Sequence, residues 1–224
     1  RLSAIGTRIA LPVDYDRVVD FMSKTYFKTE PSLVNIGLAC LDEPPPPLVH
    51  LMRENVKEGM TIIAEGADNC VVGAAVNAST CSWHSDRIVE YAECCCEPGS
   101  VRDIVKFYAY VMREPKLWDK YCVPKVFECC YVGIDSRYLG MGMGRRLVRE
   151  SWYLARDCGY QVFLLSVLEW IIPMIDRLSL LFFPCLCMCP SDDKLDVSFF
   201  FSPREGICLI QINFAGLPAG VFRG

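Results

Sequence analysis

Residues Tyr131–Leu147, with the sequence YVGIDSRYLGMGMGRRL, decide the fold of this 224-residue chain. The segment begins as a strand rich in β-branched and aromatic residues, and it ends in an amphipathic helix predicted over Met143 to Cys158. Between them lie three glycines at alternate positions, Gly140, Gly142 and Gly144, which let the backbone approach a ligand closely. Unpaired N–H groups and the positive end of the helix meet at this turn. That arrangement suits a pyrophosphate.

The charge around this turn supports an anion site. The whole chain has 23 Lys and Arg against 27 Asp and Glu, a net charge of -4, which gives no general reason to expect nucleic acid or acidic membranes as partners. The stretch from Ser136 to Arg149 has no acidic residue and four arginines, Arg137, Arg145, Arg146 and Arg149. Because guanidinium groups on the first turns of a helix contact phosphate oxygens, the site is predicted to be made locally.

Other kinds of glycine-rich turn fit this segment less well. A Walker phosphate loop is excluded because no Gly-Lys-Ser/Thr follows the glycines. A dinucleotide site is disfavoured because the strand comes late in the chain and the glycines are spaced 2, 2 rather than 2, 3. A turn that serves only for packing stays an alternative.

The segment resembles motif A of the GNAT superfamily of acetyltransferases, in which a strand, an Asp or His and a Tyr-Arg pair precede Gly-x-Gly-x-Gly at the start of a long helix. Asp135, Tyr138, Leu147 and the three glycines match, whereas Leu139 stands where the family usually has Arg or Gln. The resemblance implies the GNAT acyl-CoA acyltransferase fold, a mixed α/β fold whose central, mostly antiparallel sheet is flanked by helices. It also implies acetyl-CoA as the co-substrate, with no metal.

The resemblance further implies which residues hold acetyl-CoA. In the family this strand separates from the next one and leaves a slot, so the backbone of Val132, Gly133 and Ile134 would pair with the pantetheine arm. Backbone N–H groups of the turn and of the first helical residues would bind the pyrophosphate: Gly140, Met141, Gly142, Met143, Gly144 and Arg145.

A second resemblance lies near the N-terminus. The stretch Lys28-Thr29-Glu30-Pro31, followed by Asn35–Leu38, resembles the Asp-Glu-Pro-Leu-Asn region of insect arylalkylamine N-acetyltransferases, as does Arg149–Tyr160. It implies small arylalkylamine substrates of the dopamine, serotonin or octopamine type, and it implies Glu30 as general base. An arylalkylamine has a pKa of about 10, and only its neutral form attacks a thioester directly. The alternative is an ordinary loop glutamate at a helix end.

Glu128 is a second candidate for the site. In a regular strand Glu128, Cys130, Val132 and Ile134 share one face, which would meet the cofactor. A surface-facing or paired glutamate is an equal alternative. A thiol nucleophile at Cys129 or Cys130 is disfavoured, because no histidine lies nearby in sequence and the resembling family transfers the acetyl group directly.

The 14 cysteines are predicted to be reduced. Bunched cysteines such as Cys94-Cys95-Cys96 cannot readily bridge one another, and disulfide-rich domains are usually short and secreted. A zinc site is disfavoured because the chain has only two histidines and lacks a C-x-x-C pair. No targeting segment is visible, so a cytoplasmic protein is expected. The longest uncharged apolar run, Leu178 to Ser191, contains two prolines and is shorter than the roughly 20 residues that a membrane span requires.

The elements are predicted in the order β-α-α-β-β-α-β-α-β within one domain. Asp14 is predicted to cap the first helix, which begins after it, includes Tyr26 and ends at Pro31. The run Pro44–Pro47 is interpreted as a stiff loop entering the second helix, and Ser100 as the cap of the third. Strands are predicted over Ile5–Leu11, Met60–Glu65, Cys70–Asn77, Lys125–Asp135 and Gln161–Val167.

Residues 1–167 are assigned to the acetyltransferase domain. Residues 168–224 have the composition of neither a clean helix nor a clean sheet, and are interpreted as a divergent tail that replaces the last part of the same domain. The resemblance would place there the serines that assist the base and the tyrosine that protonates the thiolate, and no residue of the tail matches them.

The sequence therefore predicts an acetyl-CoA-dependent N-acetyltransferase of arylalkylamines. Alternatives left open are a catalytically impaired acyl-CoA-binding remnant, a splice or gene-model variant, and a protein-interaction role that uses the hydrophobic tail and Pro44–Pro47.

Overall fold

The computed structural model describes residues 5–114, 116–168, 196–202 and 207–213, and seven strands in these ranges form one sheet in the order β1-β2-β3-β4-β5-β7-β6. The strands are β1 (Gly6–Ile9), β2 (Ile62–Glu65), β3 (Val71–Thr80), β4 (Val126–Ile134), β5 (Val162–Leu168), β6 (Asp196–Ser202) and β7 (Ile207–Asn213). Among these strands β4 and β5 alone are parallel neighbours, and every other pair is antiparallel. The predicted mixed, mostly antiparallel sheet is confirmed.

Eight α-helices accompany the sheet within the described ranges. They are α1 (Tyr15–Lys24), α2 (Tyr26–Thr29), α3 (Pro31–Asn35), α4 (Pro46–Lys57), α5 (His84–Cys95), α6 (Ser100–Arg113), α7 (Leu117–Tyr121) and α8 (Met143–Asp157). None of the helices in the described part of the chain is long and apolar enough to cross a membrane. The apolar run Leu178 to Ser191 lies outside the described residues.

Two apolar layers enclose the sheet. On one face α8 packs Met143, Leu147, Trp152 and Ala155 against side chains of β2 to β5. On the other face α1 to α6 pack against Ile63, Ala74 and Val76 of β2 and β3. The sequence predicted α8 as an amphipathic helix, and Gly159, in the left-handed conformation at φ +78°, follows its end.

The predicted strands are confirmed to within three residues at each end, but several helical details were wrong. The first helix is broken at Thr25, and Pro31 begins a separate helix rather than ending the first. Pro46 and Pro47 are the first residues of α4, where proline lacks only an N–H that would be unpaired anyway. Gly99 occupies the N-cap of α6 in place of Ser100. The sequence order omitted α5, α7 and the two strands of residues 196–213.

A β-bulge interrupts the ladder between β3 and β4. Val76 pairs with Tyr131 and Asn77 with Cys129, so Cys130 is the extra residue. Phe127 and Cys129 therefore face α8 before the bulge, and Val132 and Ile134 face α8 after it. The expectation that Glu128 shares a face with Val132 and Ile134 was wrong, because one inserted residue shifts the alternation of the strand.

Gly133 of β4 lets helix α1 pack closely against the sheet. A Cβ atom at this position would lie 2.6 Å from Met22 Sδ and 2.8 Å from Thr25 Oγ1, both on the α1 side of the sheet. Such distances are too short for a real Cβ atom, so α1 approaches the strand closely because the residue is glycine.

We expect Gly133→Ala to lower the free energy of unfolding by about 1–3 kcal/mol, because α1 or Met22 must shift to make room. Urea denaturation with an N-terminal probe would measure the loss. Gly6→Ala is the matched control, since its added Cβ meets nothing within 4 Å. Equal stabilities of the two variants would contradict the packing argument.

The carboxylate of Asp14 joins β1 to the start of α1. Asp14 is the N-cap residue of α1, as predicted, but its side chain caps no helical N–H. It accepts hydrogen bonds from Arg8 at 2.6 and 3.1 Å, from Arg17 at 2.8 Å and from the Leu11 N–H at 2.9 Å. The hydrogen bond with Arg8, more than any other contact, lowers the pKa of Asp14 from 3.8 to about 2.

A carboxyl with a lowered pKa contributes stability that is present above its unfolded pKa and is lost as the pH falls through its folded pKa. We expect Asp14→Asn to be less stable than the parent at pH 7 by about 1–3 kcal/mol, and to lose less stability between pH 4 and pH 2. Thermal unfolding across this pH range would test it. The exposed Asp16→Asn serves as control, and parallel pH profiles for parent and Asp14→Asn would contradict the prediction.

Candidate active site

A gap opens between β4 and β5. Their parallel ladder comprises Phe127–Cys129 paired with Phe163–Leu165. Beyond Cys129, β4 continues to Ile134 and stays paired with β3 on its other side. The bulge at Cys130 bends β4 where the two strands part. The edge of residues 130–134 that faces away from β3 therefore borders the gap with backbone groups available for hydrogen bonds.

The glycine turn (Gly140–Gly144) follows this strand, and its glycines serve two purposes. Gly140 and Gly142 adopt φ +75° and +84°, a left-handed conformation that side chains disfavour, and an added Cβ would meet nothing within 4 Å. At Gly144 an added Cβ would lie 2.9 Å from Ile134 Cδ1. The first two shape the turn, and the third lets α8 approach β4.

The first turn of α8 presents free backbone donors. Arg146 donates its N–H to the Gly142 carbonyl at 3.0 Å, which is the first hydrogen bond of the helix. The N–H groups of Met143, Gly144 and Arg145 precede it and have no acceptor within the helix. Met141, also predicted to bind the cofactor, donates its N–H to the Tyr138 carbonyl at 3.4 Å within the turn. Leu139, the departure from motif A, is 61% exposed beside it.

The four arginines around the turn have different surroundings, and one of them, Arg149, is exposed. Arg146 donates to the Ile5 carbonyl at 2.7 Å and to Thr7 Oγ1 at 3.1 Å, so it fastens β1 to α8. Arg137 pairs with Asp135 at 2.6 Å, and this contact lowers the pKa of that carboxyl. Arg145 is half-buried, and its Nε has no hydrogen-bond partner among the described residues. The sequence could not separate these roles, because β1 lies far away along the chain.

A cavity of about 840 Å³ connects the gap to the N-terminal helices. Val132, Ile134 and Gly144, three of the predicted cofactor residues, line it together with Glu30 and Glu128. The other predicted cofactor residues do not line it: Gly133, Gly140, Met141, Gly142, Met143 and Arg145. The structure thus joins the predicted cofactor strand and the predicted base in one space, with the glycine turn next to it.

Glu30 lies on this cavity as the N-cap of α3. Its Oε2 accepts the Leu33 N–H at 2.8 Å and the hydroxyl of Ser32. The Ser32 hydroxyl in turn lies 3.4 Å from the hydroxyl of Tyr108 on α6. The carboxylate is therefore fixed in place by the helix that it caps, and it faces the cavity at the same time.

Glu128 is the more deeply buried carboxyl, with 7% of its surface exposed. It lies on the face of β4 opposite α8, and its Oε2 has no hydrogen-bond partner among the described residues. Burial raises its pKa from 4.5 to about 7, against a smaller opposite effect of the hydrogen bond with Thr80. A carboxyl in this environment keeps its proton to a higher pH than a solvated one.

Three tyrosines between the two carboxyls were not recognised from the sequence: Tyr26, Tyr108 and Tyr131. The rings of Tyr26 and Tyr131 meet edge to face at 5.1 Å. Burial raises the pKa of all three hydroxyls, so they are neutral donors at physiological pH. Tyr26 was predicted only as a residue of the first helix, and no local pattern links it with Tyr108 on a distant helix.

The cysteines next to the gap are poor nucleophiles. Burial raises the pKa of the Cys129 thiol to about 12 and raises that of Cys130 as well, so both carry a proton at neutral pH. Every cysteine whose side chain the structure describes is unpaired. The described residues contain no group of His, Cys, Asp and Glu that could hold a metal ion.

We expect the buried Glu128 to make stability depend on pH. A carboxyl whose pKa is raised in the folded state contributes stability that is present below pH 4.5 and is lost as the pH rises through about 7. Glu128→Gln should therefore lose less stability than the parent between these pH values in chemical denaturation. The exposed Glu43→Gln is the control, and an unchanged slope in Glu128→Gln would show that Glu128 does not titrate as stated.

Sequence comparison finds no matching family model and no matching curated protein. Solved structures do match. Arylalkylamine N-acetyltransferase 2 from Aedes aegypti is 20% identical, with a TM-score of 0.72, and the match covers 94% of this chain and 99% of that one. A Drosophila melanogaster polyamine N-acetyltransferase that forms N-acetylagmatine is 16% identical, with a TM-score of 0.72 over 93% of this chain and 99% of that one.

A GNAT-family acetyltransferase from Listeria monocytogenes is also similar, at 14% identity and a TM-score of 0.51, over 92% of this chain and 93% of that one. At these low identities the likeness shows the fold. This chain has the GNAT acetyltransferase fold that motif A predicted.

Proposed function

We propose that this chain is an acetyl-CoA-dependent N-acetyltransferase of small arylalkylamines. The observation that carries the proposal is the parting of β4 from β5 after Cys129, beside a cavity lined by Gly144 of the first turn of α8 and by Glu30. The proposed domain comprises residues 1–167, with 168–224 in place of its last part. Strands β6 and β7 lie in that last part and extend the sheet beyond β5. We place the enzyme in the cytoplasm.

Acetyl-CoA is proposed to bind along the open edge of β4. The backbone of Val132, Gly133 and Ile134 would pair with its pantetheine arm, as a further strand would. The free N–H groups at the start of α8, within the set Gly140 to Arg145, would receive the pyrophosphate, supported by the positive end of the helix. The half-buried Arg145 would add a charged donor there.

The amine is proposed to enter from the Glu30 side and to attack directly. Glu30 takes one proton from the ammonium group, the neutral nitrogen bonds to the acetyl carbon, and the carbon–sulfur bond breaks as CoA leaves as a thiolate. The nitrogen then loses a second proton, which converts the thiolate into the thiol of CoA. The products are the N-acetylamine, CoA and the one proton that Glu30 took up. The raised pKa values of Cys129 and Cys130 support this direct route over one through a thioester of the enzyme.

The arylalkylamine class is supported by the walls of the cavity. Tyr26, Phe107, Tyr108 and Tyr131 supply aromatic surface, and Leu51, Ile88, Val111 and Met112 supply aliphatic surface. Such walls suit an aromatic ring next to an amine better than a long polar chain. Structures similar to this one include both arylalkylamine and agmatine N-acetyltransferases, so both amine types belong in the test.

The central test is release of CoA thiol from acetyl-CoA in the presence of dopamine, tyramine or agmatine. We expect turnover with the two arylalkylamines, and a loss of at least about 100-fold in kcat with Glu30→Gln, because the amide cannot accept the proton. Its oxygen can still cap α3, so acetyl-CoA binding and melting temperature should change little.

Glu43→Gln, an exposed loop glutamate, is the matched control. Binding of acetyl-CoA without turnover by the parent chain would favour the impaired remnant. Failure to bind acetyl-CoA would refute the proposed function.

Glycine substitutions test the cofactor site separately. We expect Gly142→Ala to weaken acetyl-CoA binding at least about tenfold, because a strained φ at this residue reorients the donors of the turn. Gly159→Ala is the matched control: its φ of +78° carries a similar strain, and its added Cβ likewise meets nothing within 4 Å. Thermal unfolding should show similar losses of stability in both variants, whereas calorimetric titration with acetyl-CoA should show a loss of affinity in Gly142→Ala alone. Equal affinities would contradict the proposed pyrophosphate site.

A further inference from the structure

The cavity holds two carboxyls that lie at different ends of the tyrosine cluster (Tyr26, Tyr108 and Tyr131). Beyond the effect of burial, the charge of Glu30 acts on the pKa of Tyr26 and Tyr108, whereas the charge of Glu128 acts on that of Tyr131. Glu30 belongs to the α2–α3 side of the cavity, and Glu128 belongs to the part of β4 that is still paired with β5. A ligand that reaches from one carboxyl to the other would pass the aromatic rings.

Glu128 needs a partner that the described residues do not provide. Its Oε2 is buried without a hydrogen bond, and its side chain lines the cavity. A buried polar atom left unpaired costs free energy comparable to a lost hydrogen bond, so a ligand that supplies the missing bond is favoured over one that covers the atom without bonding. The unpaired oxygen therefore indicates a polar group on the ligand.

The surroundings of Glu128 indicate which polar group fits. Val111 and Met112 of α6 and Ile88 of α5 line the same cavity, with Thr80 and His84 as the polar neighbours at the end of β3 and the start of α5. These walls suit an aromatic ring whose edge carries a hydroxyl. A second cationic nitrogen would need the carboxylate form of Glu128 as its partner, and burial disfavours that form by raising the pKa of Glu128. It would also have to be desolvated against aliphatic side chains, which is costly. Burial lowers the pKa of His84, so this polar residue of the cavity wall also favours its neutral form.

We propose that Glu128 is a specificity-determining residue that hydrogen-bonds a ring hydroxyl of the amine substrate, so that hydroxylated arylalkylamines are preferred over their unsubstituted counterparts. This inference rests on the proposed function and names the substrate group that the inner part of the same cavity selects. Glu30 handles the reacting amine, and Glu128 binds the far end of the ring. Neither protonation state of Glu128 prevents the contact, because a carboxylate accepts from a phenol and a carboxylic acid both donates and accepts.

The test compares tyramine with phenethylamine, two substrates that differ by the one ring hydroxyl. We expect the parent chain to prefer tyramine at least about tenfold in kcat/KM, since a site built to bond a hydroxyl discriminates strongly against its absence. Glu128→Leu should reduce that ratio to within about threefold, chiefly by raising the KM for tyramine. Glu128→Gln, which keeps hydrogen-bonding capacity, should retain most of the preference.

Glu58 offers a control, because it is an exposed glutamate that accepts the Ser79 N–H and does not line the cavity. Glu58→Gln should leave the tyramine to phenethylamine ratio unchanged. An unchanged ratio in Glu128→Leu would overturn the inference. A fall in kcat for both substrates in Glu128→Gln and Glu128→Leu would also overturn it, since that result marks a role in proton transfer.

Direct binding separates this inference from the proposed function. Calorimetric titration of tyramine and of phenethylamine into the CoA complex measures their dissociation constants. The ratio of these two constants reports the preference for the hydroxyl without any need for turnover. A preference for tyramine that Glu128→Leu removes, in a chain that transfers no acetyl group, would support the inference and refute the proposed function. If Glu128→Leu does not fold, Glu128→Asp replaces it: the shorter side chain withdraws the carboxyl, and an undiminished preference for tyramine would overturn the inference.

Discussion

The parting of β4 from β5 is the constraint on which the site depends. Three pairs of residues hold the two strands together, and the bulge at Cys130 then bends β4 away. The bulge exposes a backbone edge on one side, and it also reverses which side chains face α8. A single inserted residue therefore opens the gap beside β5 and places Tyr131 and Gly133 toward the N-terminal helices that line the cavity.

The local parts of the site could be predicted from the sequence, because their signals are local. A strand, three glycines and a helix lie within Tyr131–Leu147, and this local structure needs no distant partner to be recognised. The role of Glu30 as general base stays a prediction from a resemblance, and the structure adds that Glu30 caps α3. The face on which Glu128 lies was predicted wrongly, since a bulge leaves no mark in the alternation of residue types. The meeting of Tyr26 with Tyr108 joins two helices that are far apart along the chain.

The N-terminal strand and the glycine turn are coupled more closely than either sequence segment suggests. Arg146 was counted among the phosphate-binding charges, yet it holds the backbone of Ile5 and the side chain of Thr7. Charge density along a sequence thus overstates the charge available to a ligand, because part of it fixes the fold. Asp14 shows the same effect for acidic residues: it has the position of a helix cap, but Arg8 and Arg17 take its oxygens.

The cap that Glu30 provides for α3 has a consequence for its proposed chemistry. The Leu33 N–H and the Ser32 hydroxyl both bond its Oε2, so the side chain cannot change rotamer without giving up these contacts. The position of the proposed base is therefore set before an amine binds, and little side-chain entropy would be lost on reaching a reactive geometry. An amine would have to come to a fixed carboxylate, because the carboxylate could not move out to meet it.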